Sequence, residues 1–209
     1  MTNHDLANPQ LAACEVHGVT RGAFILRGAL AAGAVYGTAA VGPFVSQAFA
    51  QTGGGDVDIL NFALTLEYLE ADFYTVKGKQ VGLSGQAKAY ATQFGEEEAA
   101  HVSALEAAIK QLGGTPVKKP KFSFPATSQS SFLALASVLE NTGVGAYNGA
   151  APSISSKMVL AAAGSIVQVE ARHAAAINLL LGKSPTPTAG FDKPLTKKQV
   201  LAAAGPLIK

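Results

Sequence analysis

The chain is 209 residues long, 48% hydrophobic and 14% charged, with a formal net charge of +2 and no tryptophan. That length suits one globular domain with an appendage and ample core, and the composition excludes a disordered or fibrous chain. So small a charge, with no basic cluster interleaved with aromatics, excludes nucleic acid as a partner.

The appendage is N-terminal. A polar start gives way at residues 20–26 (Thr-Arg-Gly-Ala-Phe-Ile-Leu) to a run rich in Ala, Gly and Val, with no charged residue between Arg27 and Asp56. The run ends in Ala48-Phe49-Ala50 before Gln51, the small-x-small pattern of a signal-peptidase site, so residues 1–50 are read as a cleaved export signal. Left uncleaved, the same run is long enough to span a bilayer, and a membrane is an expected partner only in that case. Thr-Arg-x-x-Phe-Ile-Leu resembles a twin-arginine signal with Gly22 in place of the second arginine, which leaves that route and the Sec route both open. Either route delivers the protein to the periplasm or the exterior. Cleavage removes Cys14, the single cysteine, so cysteine nucleophiles, disulfides and thiolate metal sites are excluded. Any metal must be held by oxygen and imidazole.

Residues 51–183 read as a four-helix unit. After the flexible Gln51-Thr-Gly-Gly-Gly55, Asp56 is placed to cap a helix whose apolar stripe runs through Leu60, Leu64, Ala71 and Tyr74, with Glu67 intruding. Gly78 to Gly85 break the pattern. A second helix, about Gln86 to Leu112, carries Tyr90, Phe94, Leu105 and Ile109 inward, together with Glu98 and His101. Gly113-Gly-Thr-Pro116 ends it, and a Lys/Pro-rich connector follows to about Thr127, with Phe122 and Phe124 expected to pin it to the core. Extended, it reaches about 45 Å, enough to cross over between two parallel helices.

The third helix, about Ser130 to Gly149, aligns Leu133, Ala136, Glu140, Val144 and Tyr147. Gly143 and Gly145 cost it up to about 1 kcal/mol each, which suggests that a neighbouring backbone comes close. The fourth, about Ile154 to Leu181, aligns Val159, Ala163, Ile166, Glu170, His173 and Ile177. Residues 184–209 form a tail, with a Pro/Thr linker and Thr196 capping a short helix through Ala204, and read as a strap or lid on the bundle.

The two halves repeat each other. Leu66-Glu67 with Tyr74 seven residues on matches Leu139-Glu140 with Tyr147 seven on, and each is followed by Glu-x-x-His, as Glu98-Ala-Ala-His101 and Glu170-Ala-Arg-His173. On a helix, positions i and i+3 share a face about one turn apart, so a glutamate oxygen and an imidazole nitrogen converge on one point. Four buried carboxylates cannot stay bare, because each costs several kcal/mol even after relaxation. Two divalent cations would balance four glutamates with both histidines neutral. The set Glu67, Glu98, His101, Glu140, Glu170 and His173 therefore predicts a dinuclear metal centre, and imidazole beside carboxylate suits iron or manganese, with zinc as a third option.

Other charged residues fit this pattern less well. Glu70 lies about 60° round the helix from Glu67 and has no carboxylate counterpart in the second half, so it is read as a boundary or supporting residue. Glu97, four before His101, competes with Glu98, but its equivalent in the fourth helix is Val169. Glu96, Glu106 and Arg172 are expected to look outward, and Asp72 to be solvated. Tyr74 and Tyr147 lie about 10.5 Å along the axis from Glu67 and Glu140. Each is either a core tyrosine or a partner of a ligand or bound water, with redox participation as a further role.

Glu with Tyr seven on, Glu-x-x-His, then both again, across four helices with a crossover, resembles the ferritin-like superfamily of di-iron and di-manganese carboxylate bundles. Leu-Asn-Phe-Ala-Leu-Thr-Leu-Glu-Tyr-Leu-Glu and the tail Phe-Asp-Lys-Pro-Leu-Thr are similar to exported bacterial ferritin-like domain proteins related to plant desiccation-related proteins. The resemblance implies an all-α ferritin-like bundle, with O2 or peroxide as substrate in oxidase, ferroxidase or peroxide-detoxifying chemistry. It leaves open a non-catalytic stress protein that uses the metal as a staple. A homodimer is the expected assembly.

Overall fold

The computed structural model describes residues 55–186 and 190–209. The expected export signal, its cleavage site and Cys14 lie outside the described residues, as do residues 187–189 of the linker. What is described is helical: α1 (Asp56–Asp72), a π-helical turn (Phe73–Lys77), α2 (Gly78–Val81), α3 (Gly85–Gln111), α4 (Gln129–Ala150), α5 (Lys157–Leu180) and a short α6 (Lys197–Ala204). Among the described residues no helix is long and apolar enough to cross a membrane.

Three details differ from the sequence expectation. The first helical rod does not break at Gly78, which is buried, with Leu83, Ala91 and Phe132 at 3.4–3.7 Å from where a Cβ would stand. It continues through α2 to Gly82, whose left-handed φ of 71° supplies the stop. Asp56 does not cap its own helix. It is the first helical residue, and its carboxylate accepts the backbone N–H groups of Ser155 (2.7 Å) and Ser156 (2.8 Å), tying the start of α1 to the start of α5. α5 begins at Lys157 rather than near Ile154 because Pro152 holds a 3-10 turn and the Ser156 side chain caps the helix at Val159 N.

The connector crosses over along the whole bundle. At one end Asn61 bonds Thr115 O (3.1 Å) and Val117 N (2.8 Å), farther along Lys119 pairs with Asp72, and at the other end Ser84 N reaches Gln129 Oε1 (2.9 Å). α3 and α4 therefore start at the same end and run parallel. α1 packs on α3 and α4 on α5, with each hairpin closing against the other. The Lys119 pairing corrects the expectation that Asp72 is simply solvated. Phe122 and Phe124 are half-buried against the core, as expected, and Phe122 also bridges to Ile208 of the tail.

The tail lies on α4. Thr196 and Gln199 form a reciprocal capping box for α6, and Val200, Ala204 and Leu207 are buried in the core. Leu195 N donates to Gly145 O at 2.8 Å, and a Cβ on Gly149 would fall 2.0 Å from Leu195 O. Gly145, as expected, and Gly149 thus admit the Leu195 backbone, whereas at Gly143 the neighbour is a side chain, with Glu170 Oε2 2.7 Å from where a Cβ would stand. Two apolar clusters fill the bundle, one around Phe73, Phe94, Phe132 and Leu139 and the other around Leu64, Leu105, Ile109 and Ile166. The charged residues of the two Glu-x-x-His repeats lie between them.

Candidate metal centre

Each long helix contributes to one buried polar cluster. Glu67 comes from α1, Glu98 and His101 from α3, Glu140 from α4, and Glu170 and His173 from α5. The four glutamates are each 0% exposed, His173 2% and His101 9%. Helical spacing explains the convergence: in both Glu-x-x-His pairs the carboxylate and imidazole emerge one turn apart on the inward face.

Both histidines turn Nδ1 inward. His101 Nδ1 lies 2.9 Å from Glu98 Oε2, 3.2 Å from Glu67 Oε2 and 3.4 Å from Glu170 Oε1. His173 Nδ1 lies 2.9 Å from Glu98 Oε1 and 3.4 Å from Glu140 Oε2. The two oxygens of Glu98 thus face different histidines. Ligand atoms of Glu67, Glu98, His101 and Glu170 lie within 4.8 Å of one another, and so do those of Glu98, Glu140 and His173.

Glu98 Oε1, Glu140 Oε2, both oxygens of Glu170 and His173 Nδ1 are buried without a hydrogen-bond partner. His173 Nδ1 and Glu98 Oε1 approach each other without hydrogen-bond alignment. Lone pairs left bare inside a protein are costly, and a cation is what this donor set accepts.

The tyrosines cross between the halves. The Tyr74 hydroxyl donates to Glu140 Oε1, and the Tyr147 hydroxyl donates to Glu67 Oε1 at 2.5 Å. Each hairpin's tyrosine therefore orients the other hairpin's glutamate, the second of the two roles open from sequence. The π-helical turn that begins at Phe73 carries Tyr74 and presses on α3, where a Cβ at Gly95 would lie 2.8 Å from Thr75 Cγ2 and 3.3 Å from Tyr74 Cβ.

Two residues have larger parts than periodicity assigns them. Glu97 accepts from the outer nitrogen of His173, Nε2, at 2.6 Å, while the Phe94 ring stacks on the same imidazole at 3.9 Å between centroids. Glu97 does not compete with Glu98 for its own helix; it fixes the tautomer that points Nδ1 inward on α5. Glu70 is no boundary residue. It is 3% exposed and shares ligand distances with Glu140 and Glu170. The inward signals were present in sequence, but neither glutamate has a repeat partner, and the repeat was the only filter available. Glu106 does look outward, accepting Tyr68 OH at 2.5 Å.

Proton affinities reflect the crowding. Burial alone lowers the His101 imidazole, but Glu170, Glu67 and Glu98 outweigh it and raise it from 6.5 to about 12. His173 rises in the same way to about 11 against Glu140 and Glu98. Burial lifts Glu67 to about 8 and pushes Glu70 and Glu170 well above the carboxylate range, with neighbouring carboxylates adding to each. Burial raises Glu98 as well, but its contacts with both histidines win and bring it to about 2. In the protein alone, protons do the neutralising that cations would do.

Residues 55–183, more than half of the chain, match the family model described as a ferritin-like domain. The fold is similar to the crystal structure of a conserved hypothetical protein from Mycobacterium tuberculosis, with a TM-score of 0.55 and 17% sequence identity over 63% of this chain and 94% of that one. No curated protein matches. The matched segment spans all four long helices and every residue of the buried cluster, and the chain belongs to the ferritin-like domain family.

Proposed function

We propose that the chain holds two divalent cations, iron or manganese. Glu67, Glu98, His101 and Glu170 surround one, and Glu98, Glu140 and His173 surround the other. The observation that carries this reading is that Glu98, Glu140, Glu170 and His173, all members of the converging groups, keep buried oxygens and one nitrogen with no hydrogen-bond partner. Zinc fits the imidazoles, but a carboxylate-rich pair of positions sharing Glu98 fits iron and manganese better.

Such a centre, once loaded, supplies electron exchange with O2 or peroxide. The chain's own residues prepare it. Glu98 offers one oxygen to each position. Tyr74 and Tyr147 hold Glu140 and Glu67 by one oxygen each, leaving the other to face inward. Glu97 and Phe94 lock His173 in place, and the apolar clusters at either end exclude water. The His101 side chain is 11% exposed against 2% for His173, so a small molecule approaches from the His101 side. In this reading the protein is exported and acts as an oxidase, a ferroxidase or a peroxide-detoxifying protein.

Metal analysis of protein from its native host, followed by addition of ferrous iron with O2 or of peroxide, tests the proposal. Ferrous oxidation above the buffer rate, or oxygen evolved from peroxide, is the expected result. Neither reaction, with metal bound, would favour a second reading in which the metal is a staple in a non-catalytic structural protein. The zero exposure of the four glutamates is the observation on that side. Cell fractionation with N-terminal sequencing tests export and cleavage before Gln51.

A further inference from the structure

A fifth buried carboxylate lies beside the six groups assigned to the two cations. Glu70 follows Glu67 by one turn on α1, and one ligand atom each of Glu70, Glu140 and Glu170 lie within 4.8 Å of one another. The internal repeat explains the space. Glu67 matches Glu140, so three residues on Glu70 matches Gly143. A Cβ at Gly143 would stand 2.7 Å from Glu170 Oε2 and 3.6 Å from Glu70 Oε1. The side chain absent from the second half leaves the volume in which these two carboxylates meet.

Glu170 divides its oxygens. Oε1 lies 3.4 Å from His101 Nδ1, whereas Oε2 is turned toward Gly143 and Glu70. Glu170, 0% exposed, has no hydrogen-bond partner at either oxygen, and Glu140 Oε2 has none either. A cavity of about 10 Å³ adjoins the spot, lined by Glu70, Thr142, Gly143 and Ala204 of the tail among others, with room for about one water.

We propose that Glu70, Glu140 and Glu170 form a third cation position that takes a hard divalent ion such as Mn2+. The inference rests on the dinuclear reading. Glu98 is shared between the first and second positions, Glu170 between the first and third, and Glu140 between the second and third. The third differs in chemistry from the other two because it contains no imidazole, and an all-oxygen set selects hard cations.

Anaerobic titration of the metal-free protein with Mn2+, followed by equilibrium dialysis and elemental analysis, tests it. The wild type is expected to saturate at three ions per chain, the third more weakly bound, and Glu70→Gln at two, with the affinities of those two within a few fold of wild type. Saturation of the wild type at two would overturn the proposal and leave Glu70 a buried protonated acid. Three ions in Glu70→Gln would also overturn it, because the third ion would then be adventitious. If Glu70→Gln does not fold, Glu70→Asp is expected to weaken the third ion at least tenfold, and an unchanged third ion would sink the proposal. Fewer than two ions in the wild type would instead remove the dinuclear reading.

Discussion

Tyr147 OH lies 2.5 Å from Glu67 Oε1, a bond that links residues 80 apart in sequence and joins the two helical hairpins through the buried carboxylate and histidine cluster. Tyr74 repeats the bond in reverse, donating to Glu140. Because each hydroxyl takes the glutamate oxygen that does not face a histidine, Tyr147→Phe and Tyr74→Phe should keep both metals. Each should lower stability by about 1.5–3 kcal/mol, the range for a hydrogen bond to a charged group. Elemental analysis and denaturant unfolding of the loaded protein check both parts. A variant that loses metal would show the phenols to be ligands rather than orienting donors.

Glu97 gives the two histidines unequal support. It accepts from His173 Nε2, while its counterpart in the second Glu-x-x-His repeat, which would face His101, is Val169. Glu97→Gln should weaken one of the two metals by about 10–100-fold, the usual effect of losing such a partner, and leave the other nearly unchanged. Glu96→Gln, one residue away and exposed, is the control. Two-step competition against a chelator reads the two affinities separately, and an equal loss at both would contradict the assignment.

The architecture and the six-residue cluster were legible because each rests on periodicity. Glutamate at an inward position of an apolar stripe is anomalous by itself, and the repeat of Glu67 and Glu-x-x-His in the second half gave the anomaly a meaning. Glu70 and Glu97 were misjudged by the same filter. Their roles are asymmetric, Glu70 facing Gly143 and Glu97 facing a histidine on another helix, and periodicity within one chain reports only what is duplicated. The extension of the first helix through Gly78 was hidden for another reason. Gly78 is buried and keeps right-handed helical angles, so its tertiary surroundings overrode the local preference of glycine to end a helix.

Metal binding should be strongly proton-linked. In the protein alone His101 stands at about 12 and His173 at about 11, both above the ordinary 6.5. A pKa raised by folding contributes stability that is complete below the unfolded value, here about 6.5, and that is lost as pH rises toward the folded one. The metal-free protein should therefore lose stability as pH rises, first through Glu67, raised from 4.5 to about 8, and from near-neutral pH upward through the two histidines as well. Cations displace those protons, and Glu67, raised to about 8, yields its proton in the same range. The difference in Tm between loaded and chelated protein should widen from acidic to alkaline pH. Calorimetry in two buffers of different ionisation enthalpy should show proton release on loading. A constant difference in Tm with no proton release would mean that the imidazoles are not ligands.

The tail can be loosened without touching the cluster's donors. A Cβ at Gly149 would fall 2.0 Å from Leu195 O, a backbone atom held in place by the bond from Leu195 N to Gly145 O. Gly149→Ala cannot relieve that clash by a rotamer change, so the segment around Leu195 must move, at a cost of about 1–3 kcal/mol. Gly164→Ala on α5 is the contrasting case, since nothing lies within 4 Å of its Cβ. There the gain in helix propensity, up to about 1 kcal/mol, should appear unopposed. Hydrogen exchange should rise in residues 195–207 of Gly149→Ala, with little change at Glu67, Glu98, Glu140 and Glu170. If exchange instead rises throughout the bundle, the tail is part of one cooperative unit with the four helices. Unchanged exchange would mean that Leu195 does not rest on α4 in solution.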